Sequence, residues 1–226
     1  VYTMDGFGDS ANGTVSIGEK GNLLNEIYRS SNCNIGRMYR YATLLLGMRP
    51  AEHEYKLMGL AAYNSDKYGK EAYDIYAETL QNDGLGFKYK KEIQDHFFYF
   101  KDKLEGQRFD AIAYGIQKRC EELLVNWISN GIKETGITNI ILSGGVAQNI
   151  KANKLISEFK NIKNIKPEFK FSDDTRFDFL CDNYLIEVKN VTLFRENDIA
   201  EFPDAVTSRG TKHLNMLIKS VKKGYK

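Results

Sequence analysis

Asn139-Ile140-Ile141-Leu142-Ser143-Gly144-Gly145-Val146-Ala147-Gln148-Asn149 reads as a short buried strand that turns through two glycines into a helix running from about Val146 to Phe159. Glycines let backbone N–H groups approach a ligand closely, and the start of a helix offers free N–H groups and positive potential to an anion. Strand–glycine–helix is also a common plain turn, so this stretch alone leaves both readings open. A second glycine-rich stretch stands at the other end of the same region. Asp5-Gly6-Phe7-Gly8-Asp9 joins a strand at Val1–Met4 to one at Gly13–Gly18 in a hairpin. Asp5, at the strand end, is placed to hold Mg²⁺ against a phosphate.

Working outward, Lys20-Gly21 reads as a turn and Asn22–Arg29 as a third strand. The spacing predicts helices over Ile35–Leu46, stopped by Gly47 and Pro50, over Glu52–Tyr63 and over Asp66–Leu80. Residues 81–108 are polar and aromatic with no clean period, and read as loop and short elements. Phe109–Glu134 predicts a long amphipathic helix, with Ile112, Ile116, Leu123, Leu124, Trp127 and Ile128 on one stripe. Composition then shifts. Asn161–Phe169 is rich in Lys and Asn and contains Pro167. Strands at Arg176–Cys181 and Tyr184–Leu193, joined by Asp182-Asn183, lead through a loop at Pro203 to a helix at Thr211–Val221. That helix carries Leu214, Leu217, Ile218 and Val221 on one face. The domain boundary is expected near residue 162, giving segments 1–162 and 163–226.

The 226 residues suffice for one large domain or two small ones, and 42% hydrophobic with 27% charged content is that of an ordinary globular chain. No apolar run approaches the roughly 20 residues that span a bilayer, so no membrane partner is expected. The net charge of +2 selects no partner. Its distribution is less even: no acidic residue follows Ala205, while Arg209, Lys212, Lys219, Lys222, Lys223 and Lys226 do. Cys33, Cys120 and Cys181 have no paired spacing and read as buried thiols in a reducing cytoplasm, the expected location. The chain opens within a strand, and a truncation at the N-terminus is expected.

Three blocks occur in order: Asp5-Gly6-Phe7-Gly8-Asp9, Glu54-Tyr55-Lys56-Leu57-Met58-Gly59-Leu60-Ala61-Ala62-Tyr63, and Ser143-Gly144-Gly145-Val146-Ala147-Gln148-Asn149 with Asn153. Together they resemble the O-carbamoyltransferases of nodulation, cephalosporin and nebramycin type, over residues 1–160. The middle block is the most specific, because no folding requirement explains it. The resemblance implies a partial actin/Hsp70-like (ribonuclease H-like) nucleotide-binding lobe of α/β class. It implies that ATP and carbamoyl phosphate yield carbamoyl-adenylate, whose carbamoyl group passes to a hydroxyl. By motif position Asp5, Gly6, Gly8 and Asp9 would face phosphate or metal. Gly144, Gly145 and Asn149 would face the nucleoside, and Glu54 and Lys56 the cleft wall. Lys56 also reads as a solvated helix charge. The family's further divalent metal, such as iron, is held by a histidine motif that this sequence does not contain. His53 and His96 stand outside any matching block, His53 reading as a helix-start residue and His96 as a packing or surface one. Full carbamoyl transfer by this chain alone is therefore not expected.

In the last segment, a two-residue turn at Asp182-Asn183 sets Cys181 opposite Tyr184, Phe179 opposite Ile186 and Asp178 opposite Glu187. Phe177, Phe179, Ile186 and Val188 then share an apolar face; Asp178, Glu187 and Lys189 share the other. Carboxylates directly across a strand pair, with Cβ atoms about 5 Å apart, repel unless a cation lies between them. Asp with Glu-x-Lys is an arrangement that holds Mg²⁺ and activates water for phosphodiester hydrolysis. An exposed face of solvated charges is the competing reading. Arg176-Phe177-Asp178-Phe179, Ile186 to Leu193, Phe202-Pro203-Asp204-Ala205-Val206-Thr207, Arg209-Gly210 and Lys212-His213-Leu214 resemble the sugar fermentation stimulation protein family over residues 163–226. That resemblance implies a partial restriction-endonuclease-like α/β segment with a PD-(D/E)-x-K core. Asp178 and Glu187 would be metal ligands and catalytic with Lys189, while Arg209, Lys212 and His213 would lie near nucleic-acid phosphates. The sequence thus carries three readings: a carbamoyltransferase-type ATP-binding lobe, a Mg²⁺-dependent nuclease segment, and a non-catalytic fusion remnant.

Overall fold

The structure is a computed structural model that describes residues 1–8, 11–18, 25–158, 165–172, 175–181, 184–186, 193–194, 200–201 and 208–225. It is a mixed α/β chain of two compact units, Val1–Ile156 and Ser157–Lys226.

In the first unit a four-stranded sheet has the order β3-β2-β1-β6, with β1 Tyr2–Gly8, β2 Ala11–Ile17, β3 Asn25–Ser30 and β6 Leu142–Ser143. β1 and β2 are antiparallel, Tyr2 facing Val15 and Gly8 facing Ala11, with a register shift between Met4 and Gly8. The expected loop at 5–9 is thus, through Gly8, an irregular continuation of β1. A bulged strand needs residues that tolerate a locally disturbed ladder, and the two glycines meet that need. β6 pairs parallel to β1 through Tyr2–Leu142 and Thr3–Ser143. Of the strand expected at Asn139–Leu142, only Leu142 falls within β6, with the Ile141 carbonyl accepting from the Tyr2 N–H at 2.8 Å.

Helices α1 Ile35–Leu45, α2 Glu54–Leu60, α3 Asp66–Ala77 and α5 Phe109–Thr135 contribute buried side chains to the core beside that sheet. The stripe expected on α5 is buried throughout, with Ile112, Ile116, Leu123, Leu124, Trp127 and Ile128 all at 5% exposure or less. α5 stops at Gly136, which takes φ 69° as a left-handed cap. Trp127 donates from Nε1 to the Leu85 carbonyl at 2.5 Å and meets the rings of Tyr2 and Phe87 at 5.2 and 5.1 Å between centroids. Burying each such side chain contributes about 1.5–3 kcal/mol. α3 crosses α5 closely, because a Cβ on Gly115 would stand 2.7 Å from the carbonyl carbon of Ala72 and the nitrogen of Tyr73.

Residues 81–108 hold more order than their sequence suggests. Leu80–Asp83 (β4) and Gly86–Tyr89 (β5) form a hairpin, with Gly84 at φ 59°, and His96–Leu104 is a helix, α4. Asp95 caps α4 by accepting from the Phe98 N–H at 3.0 Å. The helix expected from Val146 is also different. Gly145–Gln148 is a single 3₁₀ turn, Asn149 is extended at ψ 95°, and α6 begins afresh at Ile150, ending at Ser157.

In the second unit Ile165–Ser172 (β7), Thr175–Cys181 (β8) and Tyr184–Ile186 (β9) form a sheet in that order. Pro167 lies within β7, opposite Phe179, in the Lys- and Asn-rich stretch to which no element was assigned. Proline lacks an N–H for the ladder and is tolerated on an edge strand, which β7 is. Leu193–Phe194 (β10) pairs with Ala200–Glu201 (β11). Phe177 is buried among Phe169, Phe171, Met216, Leu217 and Tyr225, so it is Met216 and Leu217 of α7 (Ser208–Lys222) that face the sheet. Ile218 and Val221, expected on that same face, are 59% and 64% exposed.

Candidate functional site

The end of β1 and the turn after β6 meet backbone to backbone. The parallel pairing of Thr3 with Ser143 delivers the chain beside Met4, and Gly144 turns there with φ 96°. A Cβ on Gly144 would lie 2.1 Å from the Met4 carbonyl oxygen, so only glycine passes. The first turn of α1 closes on the same place: a Cβ on Gly36 would stand 3.0 Å from Val146 Cγ2 and 3.3 Å from Gly6 Cα. Asp5 is exposed, and its Oδ1 accepts from the Gly6 N–H at 2.6 Å. A Cβ on Gly145 would lie 3.3 Å from that oxygen. Asp5, Gly6, Gly144 and Gly145 are therefore brought together, with Gly36 as a wall the sequence reading did not include. Gly8 is paired with Ala11 in the sheet, and Asp9 lies outside the described residues.

Below this wall lies a buried polar cluster. Tyr39 donates to Gln117 Oε1 at 2.7 Å. Gln117 and Asn149 form a reciprocal amide pair, each Nε2 or Nδ2 donating to the other's oxygen at 3.0 Å. Gln117 also donates to Glu121 Oε1 at 2.6 Å, and Asn149 accepts from the Ala152 N–H at 3.1 Å. The Tyr39 phenol is pushed well up by burial, with Cys120, Glu121, Glu54 and Tyr76 adding in the same direction. It stays protonated and remains a donor. Asn149, expected to face a nucleoside, spends its side chain on these protein partners. Gln117 carried one sequence signal, a polar residue set beside Ile116 on the apolar stripe of α5.

Glu54 stands in the first turn of α2, accepting from the Ala51 N–H at 2.6 Å, and its charge reaches Tyr39. Ala51 takes φ 67°, the one such non-glycine among the described residues. Lys56 is exposed, 5.8 Å above the Tyr55 ring centroid, with no bond to either glycine turn. The Cys33 thiol is pushed up to about 12 by burial, and burial raises Cys120 as well, so neither is a ready thiolate nucleophile.

Among the described residues no three His, Cys, Asp or Glu converge to hold a metal. His53 accepts from the Arg49 N–H at 3.1 Å, and His96 stacks on Tyr89 at 4.5 Å. The histidine-held metal that the resemblance implies therefore finds no ligand set among the described residues. A Mg²⁺ carried by nucleotide phosphates needs less, one or two carboxylates beside the phosphates, and the exposed Asp5 beside Gly145 fits that demand.

In the second unit Cys181 faces Tyr184 and Phe179 faces Ile186, the register expected from the sequence. Asp178 lies on β8, and Arg209, Lys212 and His213 lie on α7. Glu187 and Lys189 are outside the described residues. No helix among the described residues is long and apolar enough to cross a membrane.

A mixed α/β unit with two glycine turns closing on one carboxylate defines the class, and comparison with known proteins defines the family. Residues 1–171 match the carbamoyltransferase N-terminus model, and the chain belongs to that family. Residues 141–226 match the RE domain of the sugar fermentation stimulation protein, so the two matches overlap from 141 to 171. A sugar fermentation stimulation protein homolog of Pelagibacter ubique is 58% identical over 78 residues, covering 33% of this chain and 34% of that protein. One from Picrophilus torridus is 50% identical over 72 residues, covering 32% and 30%. An uncharacterized protein of Methanocaldococcus jannaschii is 30% identical over 169 residues, 72% of this chain and 33% of its own length. The chain spans about a third of the length of these curated relatives.

Proposed function

We propose that the Val1–Ile156 unit is an ATP·Mg²⁺-binding lobe of carbamoyltransferase type, with an actin-like fold. It serves a reaction in which ATP and carbamoyl phosphate supply a carbamoyl group to a hydroxyl. The observation that carries the reading is the contact of Gly144 with the Met4 carbonyl, which leaves backbone and one exposed carboxylate, Asp5, around the open side of Gly145. Glycine backbone that a ligand can approach closely and a metal-capable carboxylate suit a triphosphate. In that reaction Asp5, Gly6, Gly144 and Gly145 would bind and orient the nucleotide.

Calorimetric titration with ATP and Mg²⁺ tests it. Saturable binding is expected, weakened by about tenfold or more in Gly145→Asp, whose carboxylate would sit beside Asp5 and repel phosphate. The added Cβ would meet only the tip of the exposed Asp5 side chain, at 3.3 Å, which can move aside, so the variant is expected to fold, as Trp127 fluorescence will report. A folded chain that takes up no ATP refutes the reading.

A second reading applies to residues 157–226. The pairing of Phe179 with Ile186 and the match to the sugar fermentation stimulation protein RE domain support a Mg²⁺-dependent nuclease segment, with Asp178 and Glu187 as ligands and Lys189 as its catalytic lysine. Arg209, Lys212 and His213 would then meet the nucleic-acid backbone. Mg²⁺-dependent DNA cleavage that is abolished in Glu187→Ala is the expected result; cleavage that survives the substitution removes this reading.

A further inference from the structure

We infer that Gln117 is a positioning residue for the 144–149 turn, acting through Asn149. Its side chain has two acceptor sites and two donors, and all four are used: Oε1 accepts from Tyr39 and Asn149, and Nε2 donates to Glu121 and Asn149. Asn149 is equally filled. Its Oδ1 accepts from Gln117 and the Ala152 N–H, and its Nδ2 donates to Gln117 and to Cys120 Sγ at 3.7 Å. Gln117 is 3% exposed and its bond to Tyr39 is buried, while those to Glu121 and Asn149 are part-buried, so bulk water competes little at the Gln117 end.

The consequence is mechanical. Asn149 is the junction between the 3₁₀ turn Gly145–Gln148 and α6: its backbone is extended at ψ 95°, its N–H donates to the Val146 carbonyl at 3.1 Å and its carbonyl accepts from the Asn153 N–H at 3.0 Å, so the turn and the helix are both tied to this one residue. The Gly144 end of the turn is placed by the pairing of Thr3 with Ser143, and its other end by what holds Asn149. Through Gln117 it is tied to α5, and through Tyr39 to α1, the helix whose Gly36 abuts Val146 and Gly6. Asn153 adds a second tie by donating to the Ala147 carbonyl at 2.7 Å. A side chain on α5 thereby steadies the far end of the turn that carries Gly145 beside Asp5, although it touches neither.

The functional part of this inference rests on the nucleotide-binding reading; the positioning part does not, and two measurements on the full chain separate them. Gln117→Met keeps the volume and deletes all four bonds. In hydrogen exchange without ligand, the amides of Ala147, Asn149, Ala152 and Asn153 are expected to exchange about tenfold faster or more, with α3 and the C-terminal half of α5 unchanged. Unchanged protection at those four amides, or faster exchange spread evenly over the unit, overturns the inference. In titration with ATP and Mg²⁺ the same variant is expected to lose about tenfold in affinity. If the unaltered chain binds no ATP, the nucleotide reading falls, and the exchange result still decides the positioning.

Gln117→Glu supplies a readout that loss of packing would not. Its carboxylate would face Glu121, with Glu54 further off and Tyr39, Tyr76 and Cys120 as neutral neighbours, so its proton would be held above the usual carboxylate range. The protonated acid restores a donor. Affinity in this variant should therefore recover towards that of the unaltered chain as pH falls from about 8 to about 6. A ratio of affinities that does not move with pH counts against the role.

Discussion

Gly144→Ala isolates the contact on which the candidate site stands. The substitution meets two obstacles. The backbone sits at φ 96°, outside the regions that a residue with a Cβ occupies freely, which costs about 1–3 kcal/mol. The added methyl would also lie 2.1 Å from Met4 O and 2.7 Å from Met4 C, backbone atoms of a central strand that cannot turn aside. Relieving such overlap by moving β1 or the turn costs about 1–3 kcal/mol more. The sum is about 2–6 kcal/mol, a large fraction of the stability of about 5–15 kcal/mol usual for a domain. Gly145→Ala is the internal control. Its Cβ would meet only the tip of Asp5, at 3.3 Å, and its cost is expected below about 1 kcal/mol. Urea unfolding followed by the fluorescence of Trp127, the protein's single tryptophan and fully buried in the same unit, reads both. With a slope of about 2 kcal/mol/M, Gly144→Ala should lower the midpoint by about 1–3 M. Equal midpoints for the two variants would refute the account of the turn.

Gly115→Ala should destabilise the first unit by about 2–4 kcal/mol, because its methyl would press on the α3 backbone at 2.7 Å; a midpoint within 0.5 kcal/mol of the unaltered chain would contradict that packing. Asp95→Ala removes the cap of α4 and should cost about 1 kcal/mol, read in the same assay, with Asp95→Asn or Asp95→Ser recovering most of it. The proton affinity of His96 is lowered by burial, with Arg37 acting the same way against an opposing Asp95. Its Nε2 has no protein partner. A histidine whose pKa is depressed on folding binds fewer protons native than unfolded. Its contribution is therefore whole above the unfolded value of 6.5 and shrinks as pH falls through it, levelling below the folded value. Urea midpoints of the unaltered chain should fall from about pH 7.5 to about pH 5.5 more than those of His96→Phe; parallel pH dependence of the two would show that His96 is not the titrating group.

The helices were legible where burial is one-sided. α5 displays its apolar stripe at helical spacing because one face of it forms the core, and Gly136 marks its end. The β4–β5 hairpin was not legible for the converse reason. Gln81, Asn82 and Asp83 give no alternation, and what orders the segment comes from far along the chain: Asn82 donates to the Leu123 carbonyl at 3.0 Å and Leu85 accepts from Trp127. In α7 the helix was readable but its covered face was not, since Met216 and Leu217, rather than Ile218 and Val221, meet Phe177.

The sequence by itself determined the glycine stretches, the α5 stripe and the register that sets Cys181 opposite Tyr184, since each follows from local φ/ψ preference or from the period of apolar residues. Its two sets of motifs also identified both families. The tertiary structure decided what those stretches do to one another. Parallel pairing of β6 with β1 brings Gly144 onto Met4, and the buried Gln117–Asn149 pair joins residues 32 positions apart. Such contacts are selected by the packing of whole elements, in which a polar residue is tolerated inside only where distant partners complete its hydrogen bonds, and no local pattern encodes which partners those will be.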